Sequence, residues 1–221
     1  VYALVDFAKC TAFSTCQPDK KLPHHYAALY GNTRILKLLC EVHPEGLLVT
    51  DVLGNSVAQL ACFEATELAH PYDSHITLTG EDKPKDMGKL VQVIKEADPT
   101  MAALHLTNPE NGRSVLHISS LSSEYGLAIA EMLLQEATVP IEPIYDAERY
   151  TPLHFAAQCG SIPLVHFLLK KGYPYGVHSR NGRSALHFAM QQGHFDITLH
   201  LLSLTRNGME SPLTLASQDT G

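Results

Sequence analysis

Thr-Pro-Leu-His-Phe-Ala-Ala-Gln-Cys-Gly, residues 151–160, occurs a second time with few changes as Ser-Ala-Leu-His-Phe-Ala-Met-Gln-Gln-Gly, residues 184–193. The two copies begin 33 residues apart, and weaker copies of this ten-residue phrase begin at Leu22, Ser56, Ser114 and Ser211. The successive starts are separated by 34, 58, 37, 33 and 27 residues. Recurrence at a nearly fixed period of this size indicates a repeat protein, in which each unit buries its apolar face against its neighbours.

Each phrase has the composition of a helix start. Ser or Thr opens five of the six copies, and its hydroxyl can accept an unpaired backbone N–H at that position. Proline follows in three copies, where its missing N–H has no consequence. Glycine closes three copies, at Gly31, Gly160 and Gly193, and predicts the end of the helix. A second apolar segment follows each of the first five phrases, so each repeat is predicted to be a pair of short helices that is marginal in isolation.

The phrase resembles the T-P-L-H-x-A signature of the ankyrin repeat, whose period is about 33 residues. The resemblance covers residues 20–221 and implies an all-α fold, a solenoid of stacked helix-turn-helix pairs joined by β-hairpin-like loops. Repeats are expected near residues 22, 56, 114, 151 and 184, with a partial repeat at 211. Residues 1–19 are either a capping helix or the remnant of a preceding repeat. We expect the chain to be an excerpt of a larger protein.

The second repeat is longer than the others. Its spacing of 58 residues exceeds the period by about 25, and we place the additional residues at 65–85. The insertion is predicted to separate a first helix that ends near Phe63 from a second helix that begins near Asp86. Long loops in compact arrays are either functional or tolerated insertions.

Composition excludes several classes of protein. The 221 residues include 45% apolar side chains and carry a net charge of −7, as expected for a globular chain with a sizeable core. The negative charge disfavours nucleic-acid binding, and no stretch reaches the ~18 apolar residues that a membrane span requires. Five cysteines, an odd and scattered number, indicate a reducing compartment. We expect an intracellular protein, in the cytoplasm first and the nucleus as the alternative.

Catalytic and metal chemistry find little support in the sequence. Four of the thirteen histidines are the histidine of the phrase, which in the resembled family forms hydrogen bonds within the loop network: His25, His117, His154 and His187. A group of histidines and one cysteine between residues 24 and 43 lacks the paired spacing of a zinc site. The sequence contains neither a nucleophile elbow nor a phosphate-binding glycine motif. We therefore expect no catalytic residue, no metal and no cofactor.

The resemblance does imply a partner-binding surface, formed by the hairpin tips and the exposed side and end of each first helix. Transferred residue by residue, the predicted contact positions are Val52, Leu53, Asn55, Phe63, Glu64, Glu110, Asn111, Arg113, Glu148, Arg149, Tyr150, Gln158, Cys159, Arg180, Asn181, Arg183, Gln191 and Gln192.

Arginine is concentrated at three consecutive hairpins. Four of the six arginines lie there, namely Arg113, Arg149, Arg180 and Arg183. Because arginine binds carboxylates and phosphates with two parallel hydrogen bonds, this concentration predicts that the partner contributes an acidic or phosphorylated segment. The alternative is a solvated rim in which these arginines pair with Glu110, Glu148 and neighbouring acids.

These observations predict a non-catalytic protein-interaction module, a scaffold or adaptor that binds another protein through its hairpin tips and its concave first-helix face. The alternative is a regulatory or targeting segment of a larger enzyme, such as a kinase or transferase, with its active site outside these residues. The sequence leaves the identity of the partner and the oligomeric state open.

Overall fold

The computed structural model describes residues 19–63, 86–134 and 145–206. In these residues the regular structure is helical, apart from isolated bridges such as Thr50 with Ser56. The predicted all-α class is therefore confirmed. The chain divides between Asn108 and Pro109 into two compact units. The segment 1–18, the insertion 65–85 and the partial repeat at 211 lie outside the described residues.

The first unit contains two helix pairs. Its elements are α1 (Pro23–Leu29), α2 (Thr33–Val42), a 3-10 helix (Pro44–Leu48), α3 (Val57–Cys62), α4 (Met87–Ala97) and the short α5 (Ala102–His105). The first helices α1 and α3 pack together, as do the second helices α2 and α4. Leu36, Leu60, Leu90 and Ile94 are fully buried in this unit. The 3-10 helix and α5 were not anticipated from the phrase.

The predicted boundaries of the long second repeat are confirmed. Helix α3 ends at Cys62 with Phe63 as its C-cap. Helix α4 begins at Met87, and Oδ1 of Asp86 accepts the backbone N–H of Lys89 at 2.9 Å. A carboxylate in this position satisfies one of the unpaired N–H groups of the first turn, so the residue that opens α4 could be recognised from the sequence alone.

The second unit contains three helix pairs. They are α6 (Val115–Ser119) with α7 (Gly126–Leu134), α8 (Pro152–Cys159) with α9 (Ile162–Lys170), and α10 (Ala185–Gln191) with α11 (Phe195–Arg206). Neighbouring first helices contact each other along α6, α8 and α10, and neighbouring second helices along α7, α9 and α11. Burial of apolar side chains between successive pairs stabilises helices too short to persist alone.

The fourth residue of each phrase joins its repeat to the loop that follows. The donor nitrogen is Nε2 of a histidine or a glutamine, and the acceptor is a backbone carbonyl that lies 24 to 47 residues ahead. The pairs are His25 with Val49 (3.1 Å), Gln59 with Leu106 (3.4 Å), His117 with Tyr150 (3.1 Å) and His154 with Arg183 (3.2 Å). The structural role predicted for His25, His117 and His154 is therefore confirmed.

The other ring nitrogen of these histidines faces backward along the phrase. In each copy Nδ1 accepts the backbone N–H of the residue three positions earlier, for example Thr151 at 3.1 Å from His154. The Thr151 hydroxyl also lies 2.9 Å from this Nδ1. The predicted hydroxyl cap is found at Ser56, which accepts the N–H of Gln59 at 3.3 Å, whereas the hydroxyls of Ser114, Thr151 and Ser184 contact the histidine ring instead.

Substitution of Gly160 tests the tight contact at the end of α8. Gly160 has φ +83°, and a Cβ there would overlap the imidazole of His194, whose Nε2 donates to the carbonyl of Gln158 at 3.0 Å. Backbone strain and this overlap together are expected to lower the free energy of unfolding of Gly160→Ala by about 2–3 kcal/mol. Urea unfolding followed by circular dichroism measures the change.

Gly193 provides a matched control because it ends α10 one repeat later, also with positive φ (+75°). An added Cβ at Gly193 meets no described heavy atom within 4 Å, so Gly193→Ala is expected to lose only about 1 kcal/mol through backbone strain. Equal losses in the two variants would contradict the role of the contact with His194.

Candidate functional site

Three hairpin tips of the second unit form one continuous edge, which we call the tip row: residues 109–113, 146–150 and 179–183. The backbone N–H of Ala147 donates to the carbonyl of Asn111 at 2.7 Å, and that of Arg180 donates to the carbonyl of Glu148 at 2.9 Å. Neighbouring tips are therefore joined as two β-strands would be, although each pair shares a single bond.

A buried polar side chain supports each of the last two tips from below. Oδ1 of Asp146 accepts the backbone N–H groups of Glu148 (3.0 Å) and Tyr150 (2.7 Å). Oγ of Ser179 accepts the N–H of Arg183 at 3.1 Å. Such side-chain bonds to the backbone two to four residues ahead fix the shape of a turn. The tip row is therefore a preorganised surface, and Asp146 and Ser179 are supporting residues that the sequence analysis did not single out.

The predicted contact residues of the second unit differ in exposure. Tyr150, Gln158 and Cys159 are half-buried. The exposed ones are Glu110, Asn111, Glu148, Arg149, Arg180, Asn181, Arg183, Gln191 and Gln192. The tip row thus presents polar and charged side chains to solvent, while Gln191 and Gln192 lie where α10 ends.

Arg113 is held inside the protein and is not available as predicted. Its Nε lies 3.2 Å from Oδ2 of Asp146, whose side chain is only 2% exposed, and its guanidinium carbon lies 4.9 Å from the centre of the Phe155 ring. The alternative in which an arginine pairs with a neighbouring acid is thus correct for Arg113, but the acid is Asp146. An ion pair with one buried partner is a structural link between two repeats.

The other three arginines of the tip row are exposed, and no described carboxylate forms an ion pair with them. Arg183 is the residue before the opening serine of its phrase, as Arg113 is, and its guanidinium carbon lies 5.5 Å from the centre of the Phe188 ring. It repeats the stacking of Arg113 without the carboxylate. Arg149, Arg180 and Arg183 therefore have unused N–H donors at adjacent tips.

Arg149 also has an unfavourable backbone conformation. Its φ is +61°, and it occupies the hairpin position filled by Gly54, Gly112 and Gly182 in the other described tips, where φ is +70° to +76°. Glycine adopts this region without penalty, whereas a residue with a Cβ loses roughly 1–2 kcal/mol there. A strained residue at an exposed tip is consistent with a functional role for its side chain.

The tip of the first unit, residues 51–55, is apolar. Val52 and Leu53 are 51% and 49% exposed, as their predicted contact role requires. Asn55 does not fit this prediction, because it is 6% exposed and its Oδ1 accepts Nδ2–H of Asn108 at 2.8 Å. Phe63 is half-buried, and Glu64 lies outside the described residues.

The histidines between residues 24 and 43 have structural partners. His24 donates from Nε2 to the carbonyl of His43 at 3.0 Å, and Nδ1 of His43 accepts the N–H of Gly46 at 3.1 Å. Burial raises the pKa of Cys40 to about 11, which makes its thiol a poor nucleophile at neutral pH. In the part of the chain that the structure describes, no three His, Cys, Asp or Glu side chains are placed to hold a metal ion.

Membrane insertion was also examined helix by helix. Among residues 19–63, 86–134 and 145–206, every helix is too short or too polar to cross a bilayer.

Comparison with known proteins agrees with this architecture. Residues 134–189 match the family described as ankyrin repeats (many copies), and residues 181–207 match the ankyrin repeat. These ranges contain α8 to α11 and the two clearest copies of the phrase.

Three relatives illustrate the range of similarity. NF-kappa-B inhibitor alpha of Mus musculus is 30% identical over 136 residues, 59% of this chain and 40% of the relative. Ankyrin repeat family A protein 2 of Mus musculus is 34% identical over 109 residues, 46% and 35% of the two chains. Notch-regulated ankyrin repeat-containing protein of Xenopus tropicalis is 36% identical over 67 residues, 30% and 59%. The alignments thus span less than half the length of the first two relatives.

The recurring phrase, the stacked helix pairs and these matches point to the same conclusion. The histidine that links successive repeats and the glycine that ends each first helix occupy the expected places in the matched region. The chain belongs to the ankyrin repeat family.

Proposed function

We propose that this chain is a non-catalytic protein-interaction module, a scaffold or adaptor, and that the tip row of its second unit binds an acidic segment of another protein. The observation that carries the proposal is the hydrogen-bonded row of tips on which Arg149, Arg180 and Arg183 are exposed and have no described ion-pair partner. Preorganised arginines lose little side-chain entropy on binding and recognise carboxylates with two parallel hydrogen bonds.

The protein itself contains an example of the proposed contact. Arg113 stacks on Phe155 and binds the Asp146 carboxylate, whereas Arg183 stacks on Phe188 with no carboxylate beside it. The aromatic ring orients the guanidinium while its N–H edge stays available. A carboxylate from a partner would complete at Arg183 the arrangement that Asp146 completes at Arg113.

The charges of the tip row also suggest which end the acidic segment contacts. Glu110 lies on the first tip and Glu148 on the second, whereas the third tip carries Arg180 and Arg183 and no acid. Like charges placed opposite one another weaken binding. The acidic segment is therefore proposed to lie across the second and third tips, from Arg149 to Arg183.

Two further observations support the general assignment. The name of NF-kappa-B inhibitor alpha describes a protein that acts on NF-kappa-B, which supports a role in binding another protein here. The described cysteines Cys40, Cys62 and Cys159 are free thiols, which supports the proposed location inside the cell, in the cytoplasm first.

The general and the specific proposals are tested separately. Cross-linking mass spectrometry with the whole chain in native cells tests for a protein partner, and its contacts should centre on residues 108–113, 146–150 and 179–183. Fluorescence anisotropy with labelled twelve-residue peptides, one rich in Asp and Glu, one with phosphoserines and one with Asn and Gln, tests for acidic recognition. Binding of the acidic peptide and not of the neutral one is expected, with an affinity that falls as salt is raised.

Two variants remove the proposed contacts by different means. The double variant Arg180→Glu, Arg183→Glu is expected to weaken binding of the acidic peptide by about 10- to 100-fold. Arg149→Gly removes one guanidinium and places glycine where the other three tips have it, so it should bind more weakly while its stability is unchanged or higher. The matched control is Arg34→Glu, an exposed arginine on α2 of the first unit, which should bind like the wild type.

The outcomes separate the two levels of the proposal. If the double variant binds the acidic peptide within twofold of the wild type, the tip row does not recognise acidic segments, although cross-links at the tips would still support a protein partner. Tight binding of the phosphoserine peptide alone would assign the surface to phosphorylated segments. Cross-links confined to the outer faces of α9 and α11 would contradict the proposed surface altogether.

A further inference from the structure

Two histidines on neighbouring second helices of the last two repeats lie in contact at the surface. His166 of α9 is exposed and His200 of α11 is half-buried. Their ring centres are 4.3 Å apart, with an angle of 65° between the ring planes. Neither residue belongs to the recurring phrase or to the tip row, so the pair is unrelated to the surface proposed above.

The ring nitrogens of this pair are not used by the fold. His117, His154 and His194 each form a hydrogen bond from Nε2 to a backbone carbonyl of another repeat. No described residue forms a hydrogen bond with the ring of His166 or His200. Two imidazoles with unoccupied nitrogens therefore face each other at a surface that solvent and ions can reach.

The separation of the rings suits two ligands of one ion. Imidazoles that share a zinc ion through bonds of about 2.0–2.1 Å have their ring centres roughly 4.5–5 Å apart when the angle at the ion is near 90–100°. The observed 4.3 Å requires only a small change in side-chain torsion to reach this distance. We propose that His166 and His200 bind a divalent transition-metal ion, Zn²⁺, Ni²⁺ or Cu²⁺, and that the bound ion links α9 to α11.

Charge and protonation are compatible with binding at neutral pH. Partial burial and the neighbouring His166 lower the pKa of His200, so its ring is neutral and available to a metal at pH 7. Asp196 lies one helical turn before His200, and Lys170 lies one turn after His166. No third ligand completes the site in the described residues, so water fills the remaining positions and the ion is expected to exchange.

Titration with Ni²⁺ tests the site, because nickel favours imidazole over the thiol ligands that would compete for zinc. Isothermal titration calorimetry of the whole chain at pH 7.5 is expected to give a micromolar dissociation constant. Histidine resonances in ¹H–¹⁵N spectra should broaden selectively at His166 and His200. Each single variant, His166→Ala or His200→Ala, leaves one ligand and should weaken the site at least tenfold.

His105→Ala serves as the matched control, since His105 is an exposed histidine at the end of α5 in the first unit. It should bind Ni²⁺ as the wild type does, and all three variants should keep the wild-type circular dichroism spectrum because none of these rings is fully buried. Thermal melts should show that Ni²⁺ raises the melting temperature of the wild type and of His105→Ala only. If His166→Ala or His200→Ala retains the wild-type affinity within twofold, the proposal is wrong.

Discussion

Replacement of His154 by alanine is expected to lower the free energy of unfolding by about 3 kcal/mol. The His154 ring is 2% exposed, and it bonds the Thr151 N–H through Nδ1 and the Arg183 carbonyl through Nε2. Alanine leaves both backbone groups without their partner in a buried place, and each such loss is worth about 1–3 kcal/mol. Urea unfolding, with amide hydrogen exchange in α8 and α10 as the local probe, measures the loss.

Glutamine at the same position is expected to restore most of this loss. Gln59 already performs the role of the histidine in the second repeat, because its Oε1 accepts the N–H of Ser56 at 2.8 Å and its Nε2 donates to the carbonyl of Leu106 at 3.4 Å. His154→Gln should therefore lose about 1 kcal/mol or less. Similar losses for the alanine and glutamine variants would show that the ring contributes by packing rather than by joining two repeats.

His187 provides the matched control for this experiment. It has the same place in its phrase and bonds Ser184 in the same way. Its ring is exposed, however, and no described carbonyl accepts its Nε2–H. His187→Ala is expected to lose about 1 kcal/mol, clearly less than His154→Ala.

Acidification from pH 7 to pH 4 is expected to destabilise both units. Burial lowers the pKa of His25 and of His154 to about 4, from an ordinary value of 6.5. Because the folded state binds these protons less tightly than the unfolded state, the stabilisation is complete above pH 6.5 and is lost as the pH falls from 6.5 towards 4. One pKa unit corresponds to about 1.4 kcal/mol, so each histidine accounts for a loss of about 3 kcal/mol.

The contacts of the two rings explain the direction of this change. Nδ1 of each ring accepts a backbone N–H, from Leu22 for His25 and from Thr151 for His154. A proton on Nδ1 would replace this acceptor by a second donor inside the core. Unfolding free energies measured at half-unit intervals between pH 7.5 and pH 4, with hydrogen exchange read separately in α1 and α8, should show the decline in both units.

The variant His154→Gln tests whether this residue is the titrating group in the second unit. Glutamine keeps the two hydrogen bonds and has no ionisable ring, so the pH dependence read in α8 should become shallower by about 1.4 kcal/mol per pH unit. The dependence read in α1, where His25 is unchanged, should remain. A slope in α8 that does not differ between the wild type and His154→Gln would contradict the assignment.

The local elements of this protein were predictable from the sequence because their causes are local. The phrase of residues 151–160 specifies a helix start and a glycine end within ten residues, and Gly160 and Gly193 indeed have positive φ. The start of α4 after Asp86 depends on a carboxylate three residues from the N–H that it accepts. The period of 33 residues then required the helix pairs to stack, since neither helix of a pair can bury its apolar face alone.

The candidate surface could be predicted only in outline. The positions of the tips follow from the repeat, but whether a side chain at a tip is available depends on residues of other repeats. Arg113 is engaged by Asp146, which is 33 residues away, and Asn55 is buried beside Asn108, which is 53 residues away. The contact of His166 with His200 joins residues of two different repeats. No pattern of neighbouring residues encodes these meetings.

The sequence by itself determined the helices, their ends, the family and the structural histidines, because capping, periodicity and the repeated phrase act over a few residues. Only the tertiary structure decided which arginines of the tip row remain open to a partner, which polar residues are buried, and which two histidines meet. The physical reason is that hydrogen bonds and ion pairs have a short range, so the partner of a side chain is set by the register in which successive repeats pack.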